Sequence, residues 1–184
     1  VLDKGYDVLL LTEDVDEFCL QIMRSYPRKD AEGKDGTVEF KNVNSGDLGL
    51  ETEDEKKAAE DATAENKPLF DAMKDALDGK VKEVKVSTRL KDHPVCLSAD
   101  GPLSIEMEKV LNTMPGDQKV QAERVLEINS GHPIFETLKN LFVEDPEKFK
   151  TYSDLLYTQA LLIEGLPIED PVAFSNSICD LMTR

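Results

Sequence analysis

The sequence predicts an α/β (α+β) fold: a small three-stranded sheet with helices, then a C-terminal helical pair that forms a four-helix bundle in a dimer, preceded by an α/β fragment. Three observations carry this expectation. Short runs rich in β-branched residues at 81–90, 93–100 and 124–130 read as strands. Around them, apolar residues recur at three- and four-residue spacing, the mark of amphipathic helices. Charged residues make up 33% of the chain against 40% hydrophobic, a balance that gives helices large solvated faces.

The elements follow in order. The 184-residue chain starts on Val1 rather than Met, as a piece of a longer protein would. Its "YDVLLLT" (6–12) is a continuous apolar run and reads as a buried, parallel-type strand. Next comes a helical stripe of Val15, Phe18, Cys19, Ile22 and Met23, with acids in its first turn. "TVEFKNV" (37–43) alternates like a second strand, so residues 1–43 read as strand–helix–strand. Residues 44–66 are a charged linker able to extend into a solvated helix. A helix with Leu69, Phe70, Met73 and Leu77 on one face stops at Gly79. After the strands, a helix over 133–145 carries Ile134, Phe135, Leu138, Leu141 and Phe142. Two tail helices close the chain. One runs to Gly165; the other starts with Asp170 as cap and Pro171 in the first helical position.

Charge narrows the function. With 22 Lys+Arg against 38 Asp+Glu the net charge is −16, which repels nucleic acid and anionic membrane surfaces. No run of 18 apolar residues and no signal-peptide pattern is present in the sequence. Cys19, Cys96 and Cys179 are far apart and odd in number, which fits a reducing cytoplasm rather than a disulfide framework.

Catalytic signatures are missing from the sequence. His93 and His132 stand beside prolines without a cysteine at metal spacing, so no metal site is expected. No Gly-rich phosphate loop or nucleophile elbow occurs. The acidic clusters at 13–17 and 51–55 lack the calcium-loop pattern. The chain is therefore not expected to be an enzyme by itself.

What the sequence does carry is apolar stripes that need cover. "GPLSIEMEKVLNTMPG" (101–116) is a helix of about three turns between two pairs of breakers. Its stripe is Leu103, Met107, Val110, Leu111 and Met114; Ile105 lies off it, and Glu106, Glu108 and Lys109 line the other side. The breakers suggest a helix on flexible arms, with a Met-bearing face suited to varied partners. In the tail, Leu155, Leu156, Leu162, Ile163, Phe174, Ile178, Leu181 and Met182 fall on stripes that two helices alone leave half open. A second copy would close them as a four-helix bundle.

The stretches "VLLLTEDVDEF", "LFDAMKDALDGKVKEVKVSTRLKDHPVCLSAD", "MEKVL", "EINSGHPI" and "LLYTQALLIEGLPIEDPVAFSNSICDLM", in this order, resemble the heat-shock protein 90 chaperone family, most of all its bacterial form. The resemblance covers nearly the whole chain apart from 27–66. It implies that 1–54 is the end of the chaperone middle domain plus a linker, and 55–184 the C-terminal dimerisation domain. It implies a homodimer built by the two tail helices. It also implies contact with unfolded or partly folded client proteins through the exposed helix 101–116, at Leu103, Met107, Val110 and Leu111. Phe18 falls where the family has a further client-contacting aromatic, Trp in many bacterial members. ATP and Mg belong, on this resemblance, to the full-length protein and not to this segment; other chaperones are expected partners. The alternative is a stand-alone acidic protein–protein interaction adaptor with no client role.

Overall fold

The computed structural model describes residues 4–13, 15–29, 32–43, 49–115 and 119–183. Gly116, which was expected to close the helix over 101–116, and residues 44–48 of the expected linker lie outside this set. The described elements run α1 (Asp16–Met23), β1 (Ser25–Lys29), β2 (Asp35–Glu39), α2 (Glu53–Glu65), α3 (Lys67–Ala76), β3 (Glu83–Val86), β4 (Val95–Ala99), α4 (Ile105–Thr113), β5 (Arg124–Ile128), α5 (Pro133–Glu144), α6 (Pro146–Ile163) and α7 (Pro171–Met182).

The front of the chain departs from the expected strand–helix–strand. Residues 6–12 join no strand; Leu9 and Leu10 are 62% and 85% exposed. A strand meant for burial on both faces needs neighbours on both edges, and no described residue supplies them. The second strand is Asp35–Glu39 rather than 37–43, and it pairs antiparallel with β1, placing Tyr26 opposite Val38 and Pro27 opposite Thr37. β1 escapes notice because Pro27 argues against a strand. In a two-stranded ribbon both strands are edges, and there Pro is tolerated.

The three-stranded sheet is as expected, in the order β3-β5-β4, with β5 parallel to β3 and antiparallel to β4. Leu126 of β5 stands between Val84 and Leu97. The three expected runs fold as the shorter strands Glu83–Val86, Val95–Ala99 and Arg124–Ile128. Helix α3 packs on β3, α6 on β4, and α5 on α6. Met73, Leu77, Leu97, Ile105, Leu126, Ile128 and Leu138 are wholly or almost wholly buried. Each such burial contributes about 1.5–3 kcal/mol. All described members of this core lie between Leu69 and Leu166.

Of the charged linker, Glu53–Glu65 becomes a helix with a complete capping box: Thr52 Oγ1 accepts from Glu55 N, and the Glu55 carboxylate accepts from Thr52 N. Glu55 also meets Lys4 at 2.8 Å. The Lys4 hydrogen bond, with help from the Thr52 amide, pulls its pKa down to about 2.

Two polar joints inside the sheet explain why "STRL" and "EINSGHP" occur. Glu127, 2% exposed in the central strand, accepts from Ser98 Oγ at 2.7 Å, Ser87 Oγ at 2.9 Å and Arg89 Nε at 3.2 Å. A buried carboxylate is tolerated when its lone pairs are met and a cation faces it. Asn129 receives Gly131 N and donates to the carbonyls of Lys91 and His93, fastening the 87–94 loop. Arg89 Nη1 donates to the Val43 carbonyl at 2.6 Å, joining the sheet unit to the front of the chain.

Candidate functional site

The candidate surfaces are helix faces, so their geometry begins with what holds each helix. Helix α4 starts at Ser104, whose Oγ accepts from Met107 N at 3.0 Å and donates to Glu17 Oε1 on α1. The helix has nine residues, shorter than the three turns expected. Its inward face is also not the one periodicity chose. Ile105, expected off the stripe, is completely buried, and Glu108, expected among the solvated residues, is 5% exposed. Glu108 is drawn in by partners distant in sequence. Its Oε2 accepts from Ala122 N at 2.9 Å, and its Oε1 meets Arg124 Nη2. Arg124 Nη1 in turn donates to Tyr157 Oη at 2.8 Å. Burial alone would lower the Arg124 pKa, but Tyr157 and Glu108 outweigh it and hold it above the ordinary value.

With Ile105 and Glu108 as feet, the residues expected to face clients are only partly open. Leu103, Met107, Val110 and Leu111 are half-buried, and Leu103 rests on the core. Met114 is 51% exposed. Helix α4 is therefore seated on its own sheet unit, which corrects the expectation of a helix on free arms. Phe18, half-buried on α1, is brought into the same neighbourhood because α1 lies against α4. Beside the Glu17–Ser104 contact, Gln21 Nε2 reaches Met107 Sδ at 2.9 Å.

The tail helices follow different physics. Asp170 caps α7, its Oδ1 accepting from Val172 N and Ala173 N at 3.0 and 2.9 Å, with Pro171 in the first turn as expected. Yet no described residue of α7 is buried. Of the eight positions expected at a dimer interface, Leu155 and Leu156 are already buried within the protomer, while Phe174, Ile178 and Leu181 are half-buried. Leu162, Ile163 and Met182 stand 49%, 57% and 79% exposed. Val172 adds another exposed side chain at 69%.

Chemistry-bearing side chains are used structurally. His132 Nδ1 accepts from Ile134 N at 3.2 Å and caps α5. His93 is exposed. Among the described residues no three His, Cys, Asp or Glu side chains gather as a metal-holding group. Cys96 lies beside Glu127 and Arg89, and burial, reinforced by the Glu127 charge, pushes its thiol up to about 11. At the end of α6, burial raises the Glu164 pKa, partly offset by Lys109 of α4. The Glu108–Arg124–Tyr157 chain is what sequence reasoning missed. The one nearby signal is indirect: Glu127, an acid of a separate joint inside the apolar run "VLEI", shows that the strand carrying Arg124 tolerates buried charge.

Comparison with known proteins places this arrangement. The family model described as Hsp90 protein matches residues 1–184. The chain is 53% identical to "Chaperone protein HtpG" of Bacillus subtilis (strain 168) and 54% identical to the protein of that name from Clostridium botulinum (strain Langeland). It is 57% identical to the one from Halalkalibacterium halodurans. Each match covers 99% of this chain and 28% of the relative, so the chain spans under a third of the length of these curated relatives.

Proposed function

The chain belongs to the Hsp90 protein family, and from that premise we propose that it serves a molecular chaperone as its self-association and client-contact segment. The observation that carries this reading is α7: twelve residues, none buried, continuing the exposed apolar turn of Leu162 and Ile163 on α6. Such a surface is costly in water, and a second copy covers it at once by a two-fold pairing of helices. Permanent pairing at this end raises the effective concentration of whatever the two chains carry elsewhere. In this reading residues 1–54 are the end of the middle domain and a linker, and 55–184 the dimerisation domain.

In this reading α4 presents Leu103, Met107, Val110 and Leu111 to unfolded or partly folded clients, with Phe18 beside them. ATP and Mg chemistry lies outside this segment, and the expected setting is the cytoplasm; among the described residues no helix is long and apolar enough to cross a membrane. Other chaperones are expected as further partners. A second reading, an acidic adaptor without clients, is favoured by one observation: Ile105 and Glu108 anchor α4 to its own sheet.

Sedimentation equilibrium tests the self-association. The chain should sediment at about twice 20.5 kDa, and Leu162→Asp with Leu181→Asp should return it to a folded monomer. Charges at Leu155 or Leu156 would test the core instead, because both are buried in one protomer. A monomeric wild type would refute the proposed role of α7. Loss of aggregation suppression in Met107→Asp, with the dimer intact, separates the chaperone reading from the adaptor.

A further inference from the structure

Helix α1 buries none of its described residues, and Ile22 and Met23 on it are 84% and 50% exposed. It nevertheless lies against α4, so polar contacts must do much of the holding. They converge on one carboxylate. Glu17 Oε1 accepts from Ser104 Oγ, from Asn42 Nδ2 at 2.9 Å and, more weakly, from Gln21 Nε2 at 3.4 Å. Gln21 uses the same amide to reach Met107 Sδ. Ser104 is the N-cap of α4, so α1 grips that helix at its first residue and at the centre of its apolar stripe.

We infer that Glu17 and Ser104 form a latch that sets how far the apolar stripe of α4 is exposed. Docked, α1 lies over the helix start and Met107 is half-buried. Released, Met107 and the face carrying Phe18 open together as one surface. Hydrogen bonds at a half-exposed seam exchange readily with water, so the two states are close in free energy and a partner that prefers the open surface can shift them. This deepens the proposed client role of α4 and rests on it. The latch itself is a statement about α1 and α4 alone.

The test is Ser104→Asp in the intact protein, read by hydrogen exchange at the amides of 107–113. An Asp caps a helix at least as well as Ser and adds a negative charge at its positive end, so without a latch it should slow exchange. With the latch, Asp at 104 faces Glu17 as a like charge, α1 is released, and exchange should rise roughly three- to ten-fold. Adding Glu17→Lys restores an opposite-charge pair and should return exchange to the wild-type rate. Slower or unchanged exchange in Ser104→Asp overturns the latch, and so does a rise that Glu17→Lys fails to reverse, since that would be damage to the cap. Binding of reduced, carboxymethylated α-lactalbumin, a permanently unfolded probe, should tighten in Ser104→Asp and weaken in Met107→Asp. If exchange follows the latch but neither variant alters probe binding, the latch stands and the client role of α4 falls.

Discussion

Helices α5 and α7 begin alike and end differently. Each has 12 residues, opens on a proline and is capped by the preceding side chain, His132 for α5 and Asp170 for α7. Both carry an apolar stripe: Ile134, Phe135, Leu138, Leu141 and Phe142 on one, Val172, Phe174, Ile178, Leu181 and Met182 on the other. Helix α5 buries Phe135 and Leu138 to 3% and 0% exposure, and aromatic contacts fix it, Phe135 with Phe70 at 6.1 Å and the neighbouring Phe142 with Phe149 at 5.4 Å. Helix α7 buries none of its residues and leans chiefly on α6. Periodicity therefore reports that a helix needs cover; it does not report whether the cover lies in the same chain.

The comparison breaks most directly by substitution. Phe135→Ala should cost about 3–5 kcal/mol in urea unfolding of the protomer, the sum of lost burial and the cavity left behind. Val172→Asp on α7 should change protomer stability by less than about 0.5 kcal/mol, as exposed surface sites do. Comparable losses at the two sites would mean that α7 is held by its own chain after all.

A similar contrast runs within α4. Glu108→Ala leaves Arg124 buried against Tyr157 without its carboxylate, and breaking such a pair should destabilise by about 3 kcal/mol. Glu106→Ala, on the same helix and paired with half-buried Lys109, should stay within about 0.5 kcal/mol. Thermal unfolding of the two variants side by side decides it. Equal effects would remove the Glu108–Arg124 pair as the anchor of α4.

Which parts of the molecule were legible follows from the same logic. The three-stranded sheet, α3, α5 and the start of α7 could be read because their signals are local: alternation, a 3.6-residue stripe, a proline after an acid. Residues 6–12 misled for the opposite reason. Their apolar run reads as a strand flanked by others, but they join no strand and no described residue flanks them. Ile105 was set off the stripe because hydrophobic spacing treats every Glu as outward. Glu108 turns inward because the Ala122 amide and Arg124, fourteen and sixteen positions later, meet it. Of the candidate site, the exposed apolar turns at Leu162, Ile163 and Met182 could be picked from spacing, whereas the contact between α1 and α4 could not. It joins residues 86 and 87 positions apart, an amide to a thioether and a hydroxyl to a carboxylate, and these contacts carry no periodic signal.

The three cysteines sharpen the contrast between core and tail. Cys96 has a thiol pushed up to about 11, so at pH 8 only about one thiolate in a thousand is present. Cys19 and Cys179 are exposed. Iodoacetamide at pH 8 should label those two in a monomeric variant and spare Cys96 until unfolding, as peptide mapping would show. In the wild type, slower labelling of Cys179 than of Cys19 would report cover over α7. Rapid labelling of Cys96 in the folded chain would mean that the Glu127–Arg89 joint opens.

The smallest expected effect concerns α2, whose cap is held from outside the helix. Glu55 titrates near 2 instead of its ordinary 4.5, first through Lys4 and then through the Thr52 amide. A folded pKa below the unfolded one gives stabilisation that is complete above about 4.5 and is lost as pH falls toward 2. Because Glu55 is exposed, the loss should stay local. Amides in the first turn of α2 should lose protection in acid while those of β5 keep theirs, and Lys4→Met should abolish most of the pH dependence. The comparison with β5 is the informative part. Its carboxylate, Glu127, is enclosed by Arg89, Ser87 and Ser98 at the centre of the sheet, whereas Glu55 is exposed and holds only the first turn of its helix. Loss of protection in both elements over the same pH interval would show that the cap and the sheet unfold as one unit, and would join the charged linker to the core more tightly than their contacts suggest.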